Sequence, residues 1–210
     1  MSHSLFKHRL MPAVTLDGIE PALLLAEAYL EAGLDVMEIT FRTGTAEEAI
    51  RAIAKEFPAM AIGAGTILSA DQVERAIDAG AQFGLSPGYN RTVTEAALKR
   101  DLLFIPGVAT PSEIEEALDI GCRLQKLFPV NHLGGSGYIR SLEGPYGHTG
   151  LQLIPMSGVN PENLADYLSS PLVAAVGGSW IAPAKLISEG RFSEIRELVK
   201  RSIEAATSVR

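Results

Sequence analysis

Residues 103–129 read LFIPGVATPSEIEEALDIGCRLQKLFP, and this stretch holds one complete structural unit. Leu103–Val108 is an apolar run of strand length. Pro111–Ile120 carries apolar residues at helical spacing, with Pro111 tolerated in the first turn. Gly121 then stops the helix, and Arg123–Phe128 returns to a strand-like run. A strand–helix–strand unit of this length builds parallel pairing. Strands buried between a sheet interior and a helix layer read as nearly continuous apolar runs. Lys126 breaks that rule in the second strand. A charged ammonium there is costly unless it is paired or loses its proton, and a neutral lysine amine is a nucleophile toward ketones.

The same unit recurs along the whole chain. Strands are expected near Met11–Leu16, Val36–Phe41, Ala61–Thr66, Phe83–Ser86, Leu103–Val108, Arg123–Phe128, Leu151–Met156 and Leu172–Val176. Helices are expected at Pro21–Ala32, Ala46–Phe57, Ala70–Ala79, Arg91–Lys99, Pro111–Ile120, around Tyr138–Leu142, and at Pro161–Leu168, with a longer one at Phe192–Ala206. Gly33, Gly80 and Gly121 each follow a helix and precede a strand. Eight such units within 210 residues predict a single α/β domain over residues 1–210, a closed (β/α)8 TIM barrel. An open doubly wound sheet is the competing architecture. It usually carries a G-x-G-x-x-G turn after the first strand, and Val14-Thr15-Leu16-Asp17-Gly18 has none.

Composition narrows the function classes. The chain is 47% hydrophobic and 20% charged, with a net charge of −7. That charge disfavours nucleic acid and anionic membrane as partners, while leaving room for a local basic pocket. The one cysteine, Cys122, rules out an internal disulfide, suits a reducing, cytoplasmic setting, and reads as a small buried thiol at a strand start. No secretory signal is evident, because Lys7, His8 and Arg9 interrupt the N-terminal segment. No stretch reaches the ~20 apolar residues a membrane span requires. His3, His8, His132 and His148 show no i, i+4 spacing, so no metal site is expected.

Barrels place their chemistry at the C-terminal ends of their strands. Glycine, proline and hydroxyl residues gather there: Gly65-Thr66, Ser86-Pro87-Gly88, Pro106-Gly107, Ser157-Gly158 and Gly177-Gly178-Ser179. In the second strand Val36, Glu38, Thr40 and Arg42 share one face by alternation; in the sixth, Leu124, Lys126 and Phe128 do. Glu38 and Lys126 could form a buried salt bridge and nothing more. Two charged residues aimed at a barrel mouth more often mark a site. The glycine-rich ends of the last two strands match the usual phosphate site of barrels.

With these segments in place, the chain resembles the 2-dehydro-3-deoxy-6-phosphogluconate (KDPG) aldolase / 4-hydroxy-2-oxoglutarate (KHG) aldolase family from about Met11 to Ala182. The resemblance rests on Glu38-Ile39-Thr40-Phe41-Arg42-Thr43, Gly63-Ala64-Gly65-Thr66, Leu85-Ser86-Pro87-Gly88, Ile105-Pro106-Gly107-Val108, Lys126-Leu127-Phe128-Pro129 and Gly177-Gly178-Ser179-Trp180. It implies a class I aldolase, a homotrimer acting on a phosphorylated 2-oxo acid without cofactor or metal. Lys126 matches the Schiff-base lysine and Glu38 the general acid/base. Arg42 and Thr66 match the pyruvate-carboxylate clamp, and Pro87 and Phe128 the pocket lining. Gly178 and Ser179 match the phosphate turn, and Ser157-Gly158 fall where the family usually has Gly-Gly. Met156 departs from the family's hydroxyl residue at the substrate's distal end, and Ser157 adds bulk near the phosphate. Cleavage of KDPG is the leading expectation. The same reaction on 4-hydroxy-2-oxoglutarate or the galactonate epimer of KDPG is the alternative, ahead of a metal-dependent pyruvate aldolase or a non-catalytic phosphometabolite-binding barrel.

Overall fold

The computed structural model describes residues 5–209. Its strands are β1 Leu10–Val14, β2 Val36–Thr40, β3 Ala61–Gly65, β4 Phe83–Leu85, β5 Leu103–Ile105, β6 Gly107–Val108, β7 Leu124–Leu127, β8 Gln152–Pro155 and β9 Val176–Gly178. The helices are α1 Ile19–Glu31, α2 Ala46–Glu56, α3 Ala70–Asp78, α4 Arg91–Lys99, α5 Pro111–Asp119, α6 Ser136–Tyr146, α7 Leu164–Leu168, α8 Ala184–Ser188 and α9 Phe192–Thr207. This is an α/β fold around a curled parallel sheet.

Two ladders make up the sheet. One runs β5-β4-β3-β2-β1-β9, the other β6-β7-β8. They meet at Pro106. The expected strand Leu103–Val108 is divided there, because proline offers no N–H to a ladder. Its first half pairs with β4, placing Ile105 opposite Leu85. Its second half pairs with β7, placing Gly107 opposite Lys126. The Pro106 carbonyl still accepts from Lys126 N at 2.9 Å. On the other side, the single parallel bridge Met156↔Gly177 links the end of β8 to β9, and Leu153↔Val173 links β8 to the segment before β9.

The helices start and stop for local reasons. Thr110 and Glu113 form a reciprocal capping box at α5, with Pro111 in its first turn. Ser69 caps α3 by accepting from Gln72 N, and Asn90 caps α4 by accepting from Val93 N. Gly33, Gly80 and Gly121 take φ of +91°, +93° and +88°, the left-handed turn that ends a helix and that glycine enters without strain. Inside the sheet, glycine makes room for large neighbours. A Cβ on Gly63 would lie 2.5 Å from Phe83 Cδ2, so the fully buried Phe83 ring fills the space over β3.

Some boundaries differ from those expected. The last strand, β9, is Val176–Gly178 rather than the expected Leu172–Val176, because β1 pairs with Val176, Gly177 and Gly178 through backbone groups that apolar patterning does not report. The first strand begins at Leu10 and ends at Val14, short of the expected Leu16. The sixth helix is longer, Ser136–Tyr146, and the seventh is only Leu164–Leu168. A 3-10 turn at Val130–Leu133 and the short helix α8 carry no apolar period that a sequence would reveal. Among the described residues, no helix is long and apolar enough to cross a membrane.

Candidate active site

The strand ends enclose a cavity of about 450 Å³. Its wall includes Glu38, Thr40 and Arg42 from β2 and its end, Lys126 and Phe128 from β7 and its end, Met156, Ser157 and Gly158 after β8, and Gly178 and Ser179 at the end of β9. Eight of the ten residues singled out from sequence therefore meet here. Thr66 and Pro87 lie outside the lining.

Lys126 sits in a strand whose every residue is buried. Alternation sends Gln125 the other way, where its amide donates to the carbonyls of Ile114 and Cys122 and ties β7 to α5. Lys126 thus points inward, 5% exposed, with Nζ 5.4 Å from the centroid of the Phe128 ring. Glu38 is fully buried on β2, and its Oε1 lies 3.8 Å from Lys126 Nζ. That separation is too long for a direct hydrogen bond. Neither carboxylate oxygen has a hydrogen-bond partner among the described residues. A buried ion pair stabilises only when its remaining lone pairs are satisfied. Glu38 does not meet that condition, so a purely structural salt bridge is a poor explanation for it.

Gly65 explains how Glu38 fits. On the adjoining strand Gly65 pairs with Thr40, and a Cβ there would lie 2.5 Å from Glu38 Cδ. The glycine leaves the volume that the carboxylate occupies.

Arg42 is exposed at the mouth, and its Nε donates to Thr66 Oγ1 at 3.2 Å. Thr66 is therefore joined to the cavity through Arg42. Its φ of 60° is unusual for a β-branched residue. The flanking bonds Phe41 N to Gly65 O, 2.7 Å, and Ile67 N to Leu85 O, 2.9 Å, hold it there. Strain kept in place by neighbours in this way is common at binding sites.

Pro87 takes part in a backbone junction. Ser86 Oγ donates to Gly88 O and accepts from Gly107 N, at 2.8 and 3.2 Å. Gly107 packs so closely on Pro87 and Gly88 that a Cβ would lie 2.5 Å from Gly88 N. The Leu85-Ser86-Pro87-Gly88 segment thus clamps β4 to β6.

The far wall shows where the chain departs from simple patterning. Met156 is buried and packs over Gly177; a Cβ there would lie 2.9 Å from Met156 Cγ. Ser157 adopts φ 82°, a left-handed conformation normally left to glycine. Gly178 is crowded by Trp180, whose Cε3 would stand 2.5 Å from a Cβ at that position. Sequence reasoning assigned no role to Thr15, Thr40, Trp180, Ala182, Ala184 or Ile187, all of which line the cavity. Period-2 alternation places Thr40 on the face of Glu38; Thr15 falls inside the expected strand Met11–Leu16, whereas the structure ends β1 at Val14 and puts Thr15 just past it.

Other candidates lie elsewhere. Cys122 is buried outside the cavity, and burial pushes its thiol up to about 11. His132 and His148 are exposed, His8 is half-buried, and His3 lies outside the described residues. Among those residues, no group of three or more His, Cys, Asp or Glu side chains is placed to hold a metal ion.

Comparison with known proteins decides the lineage. The family model for KDPG and KHG aldolase matches residues 1–198. The chain belongs to the KDPG and KHG aldolase family. It is 42% identical to 2-dehydro-3-deoxy-phosphogluconate aldolase of Treponema pallidum, covering 93% of this chain and 92% of that one. It is 36% identical to the KHG/KDPG aldolase of Escherichia coli, covering 93% and 91%. Its structure superposes with a TM-score of 0.91 on KDPG aldolase from Legionella pneumophila, 36% identical, over 95% of this chain and 97% of that one. In that crystal structure pyruvate is captured at low pH as a covalent carbinolamine intermediate.

Proposed function

We propose that this chain is a class I aldolase that cleaves 2-dehydro-3-deoxy-6-phosphogluconate to pyruvate and D-glyceraldehyde 3-phosphate. The observation that carries the reading is Lys126 Nζ lying 3.8 Å from a fully buried Glu38 carboxylate that has no hydrogen-bond partner among the described residues. The carbinolamine of the Legionella pneumophila relative supports amine attack on a 2-oxo acid.

In this reading the neutral amine of Lys126 adds to the C2 ketone, and loss of water from the carbinolamine leaves an iminium. The C3–C4 bond then breaks and its electrons move into the iminium, giving an enamine. Glu38, directly or through water, takes the C4 hydroxyl proton as the aldehyde leaves. Glu38 returns a proton to C3, and hydrolysis of the iminium frees pyruvate and Lys126. Arg42, braced by Thr66, holds the substrate carboxylate. Phe128 packs on the pyruvate carbons. Ser157, Gly158, Gly178 and Ser179 receive the phosphate through hydroxyls and close-approaching backbone. Pro87 acts indirectly, through the β4–β6 junction.

We further infer that the strands close into one (β/α)8 barrel domain, which the Met156↔Gly177 bridge between β8 and β9 supports. The family resemblance supports a homotrimer, and the single free thiol a reducing, cytoplasmic compartment.

A second substrate, 4-hydroxy-2-oxoglutarate, is favoured by the 36% identity to an E. coli enzyme that carries both names. Comparative kcat/KM on KDPG, its galactonate epimer and 4-hydroxy-2-oxoglutarate tests the assignment. The expected order puts KDPG first, and a preference for either rival would overturn it.

A further inference from the structure

Two threonines in the cavity are left without a task by the mechanism above. Thr15 follows β1 and Thr40 ends β2, and their hydroxyl oxygens lie 2.8 Å apart. Thr40 is buried between Glu38 and Arg42 in sequence, and all three line the cavity with Thr15. The loops beyond the two strands fix this pairing. Thr43 Oγ1 donates to Leu16 O at 2.7 Å, and Gly18 N donates to Thr45 Oγ1 at 3.1 Å. The two hydroxyls are thus held in place before any ligand arrives.

Their chemistry and position define what they can read. Two hydroxyls bring two protons and four lone pairs, and the bond between them uses one of each. One O–H donor and three acceptor sites remain, which suits a neutral substrate hydroxyl better than an anion. Strand order gives the location. β1 lies between β2 and β9 in the ladder. Passing around the rim from β2 toward β9 therefore leads from Arg42, through Thr15, to Gly178 and Ser179. Resting on the proposed aldolase reading, that path runs from the substrate carboxylate to its phosphate, and the threonines face its middle.

We propose that Thr15 and Thr40 determine specificity by holding the C5 hydroxyl of the substrate, which is the C2 hydroxyl of the aldehyde half. They select acceptors with a hydroxyl beside the aldehyde carbon. The aldol reaction runs in both directions, so the condensation direction gives a clean comparison. Pyruvate is offered with D-glyceraldehyde 3-phosphate or with 3-oxopropyl phosphate, which keeps the aldehyde and phosphate and lacks only that hydroxyl. Thr15→Val and Thr40→Val keep the branched shape and remove the hydroxyl. Each is expected to lower the wild-type kcat/KM preference for D-glyceraldehyde 3-phosphate about tenfold, the effect of one lost hydrogen bond, and Thr15→Ser is expected to keep it. A strap that merely joined β1 to β2 would lower both acceptors by the same factor. An equal loss on both, or a preference unchanged in both variants, overturns the proposal. Failure of the aldolase reading would show separately, as a wild-type enzyme that pyruvate and borohydride do not label.

Discussion

Gly65→Ala offers a sharp perturbation of the site, because Gly65 itself makes no proposed substrate contact and acts only through Glu38. The new methyl would lie 2.5 Å from Glu38 Cδ and closer still to its Oε1. Gly65 is in a fully paired ladder, with Thr40 as its partner, so the backbone cannot easily retreat. The carboxylate must leave its position instead. Overpacking of this kind costs about 2 kcal/mol, or roughly 4–8 °C in Tm for a chain of this size. General acid/base catalysis contributes about 10²–10⁴ in rate, and kcat should fall by that order. A double-mutant cycle with Glu38→Ala isolates the cause. Once the carboxylate is gone, adding Gly65→Ala should reduce kcat less than threefold and should leave Tm nearly unchanged. If Gly65→Ala costs as much in the Glu38→Ala background as in the wild type, the glycine does not act by making room for Glu38.

Ser157→Gly should raise Tm by about 2–4 °C, since it relieves roughly 1 kcal/mol of left-handed strain at φ 82°; a lower Tm would contradict that backbone reading. Cys122, buried and held as the thiol up to about pH 11, should react with a thiol reagent at pH 8 far more slowly in the native protein than in denaturant; equal rates would refute its protection. The unfolded thiol ionises first, near 9, so this group's contribution to stability is fully present below about pH 9. It declines as pH rises toward about 11. In Cys122→Ala that component of the alkaline loss should disappear, as read by denaturant titrations across the range.

Which features could be read from sequence follows from where their physical cause lies. Lys126 and Glu38 stand out because a charge in a buried strand violates a local pattern. Helix ends at Gly33, Gly80 and Gly121 are local too. Gly65 is visible as a glycine, but its purpose is set by a side chain on the neighbouring strand. The last strand lies later than apolar patterning places it, because Leu172–Ala175 pairs only through the single Leu153↔Val173 bridge, while the pairing with β1 begins at Val176 and continues through two glycines. Thr15 was passed over for a related reason. Nothing in the expected strand Met11–Leu16 marks it out, and only the meeting of β1 with β2 brings its hydroxyl to Thr40. Pro87 shows the reverse case: the resemblance makes it a pocket residue, while the fold uses it against Gly107.

The central claim is that Lys126 forms a covalent imine with a 2-oxo acid. Incubation with pyruvate, reduction with borohydride and peptide mapping by mass spectrometry test it most directly. One pyruvate-derived adduct per chain is expected on the peptide that contains Lys126, with none in Lys126→Ala. An adduct on another lysine, or undiminished labelling of Lys126→Ala, would contradict the claim.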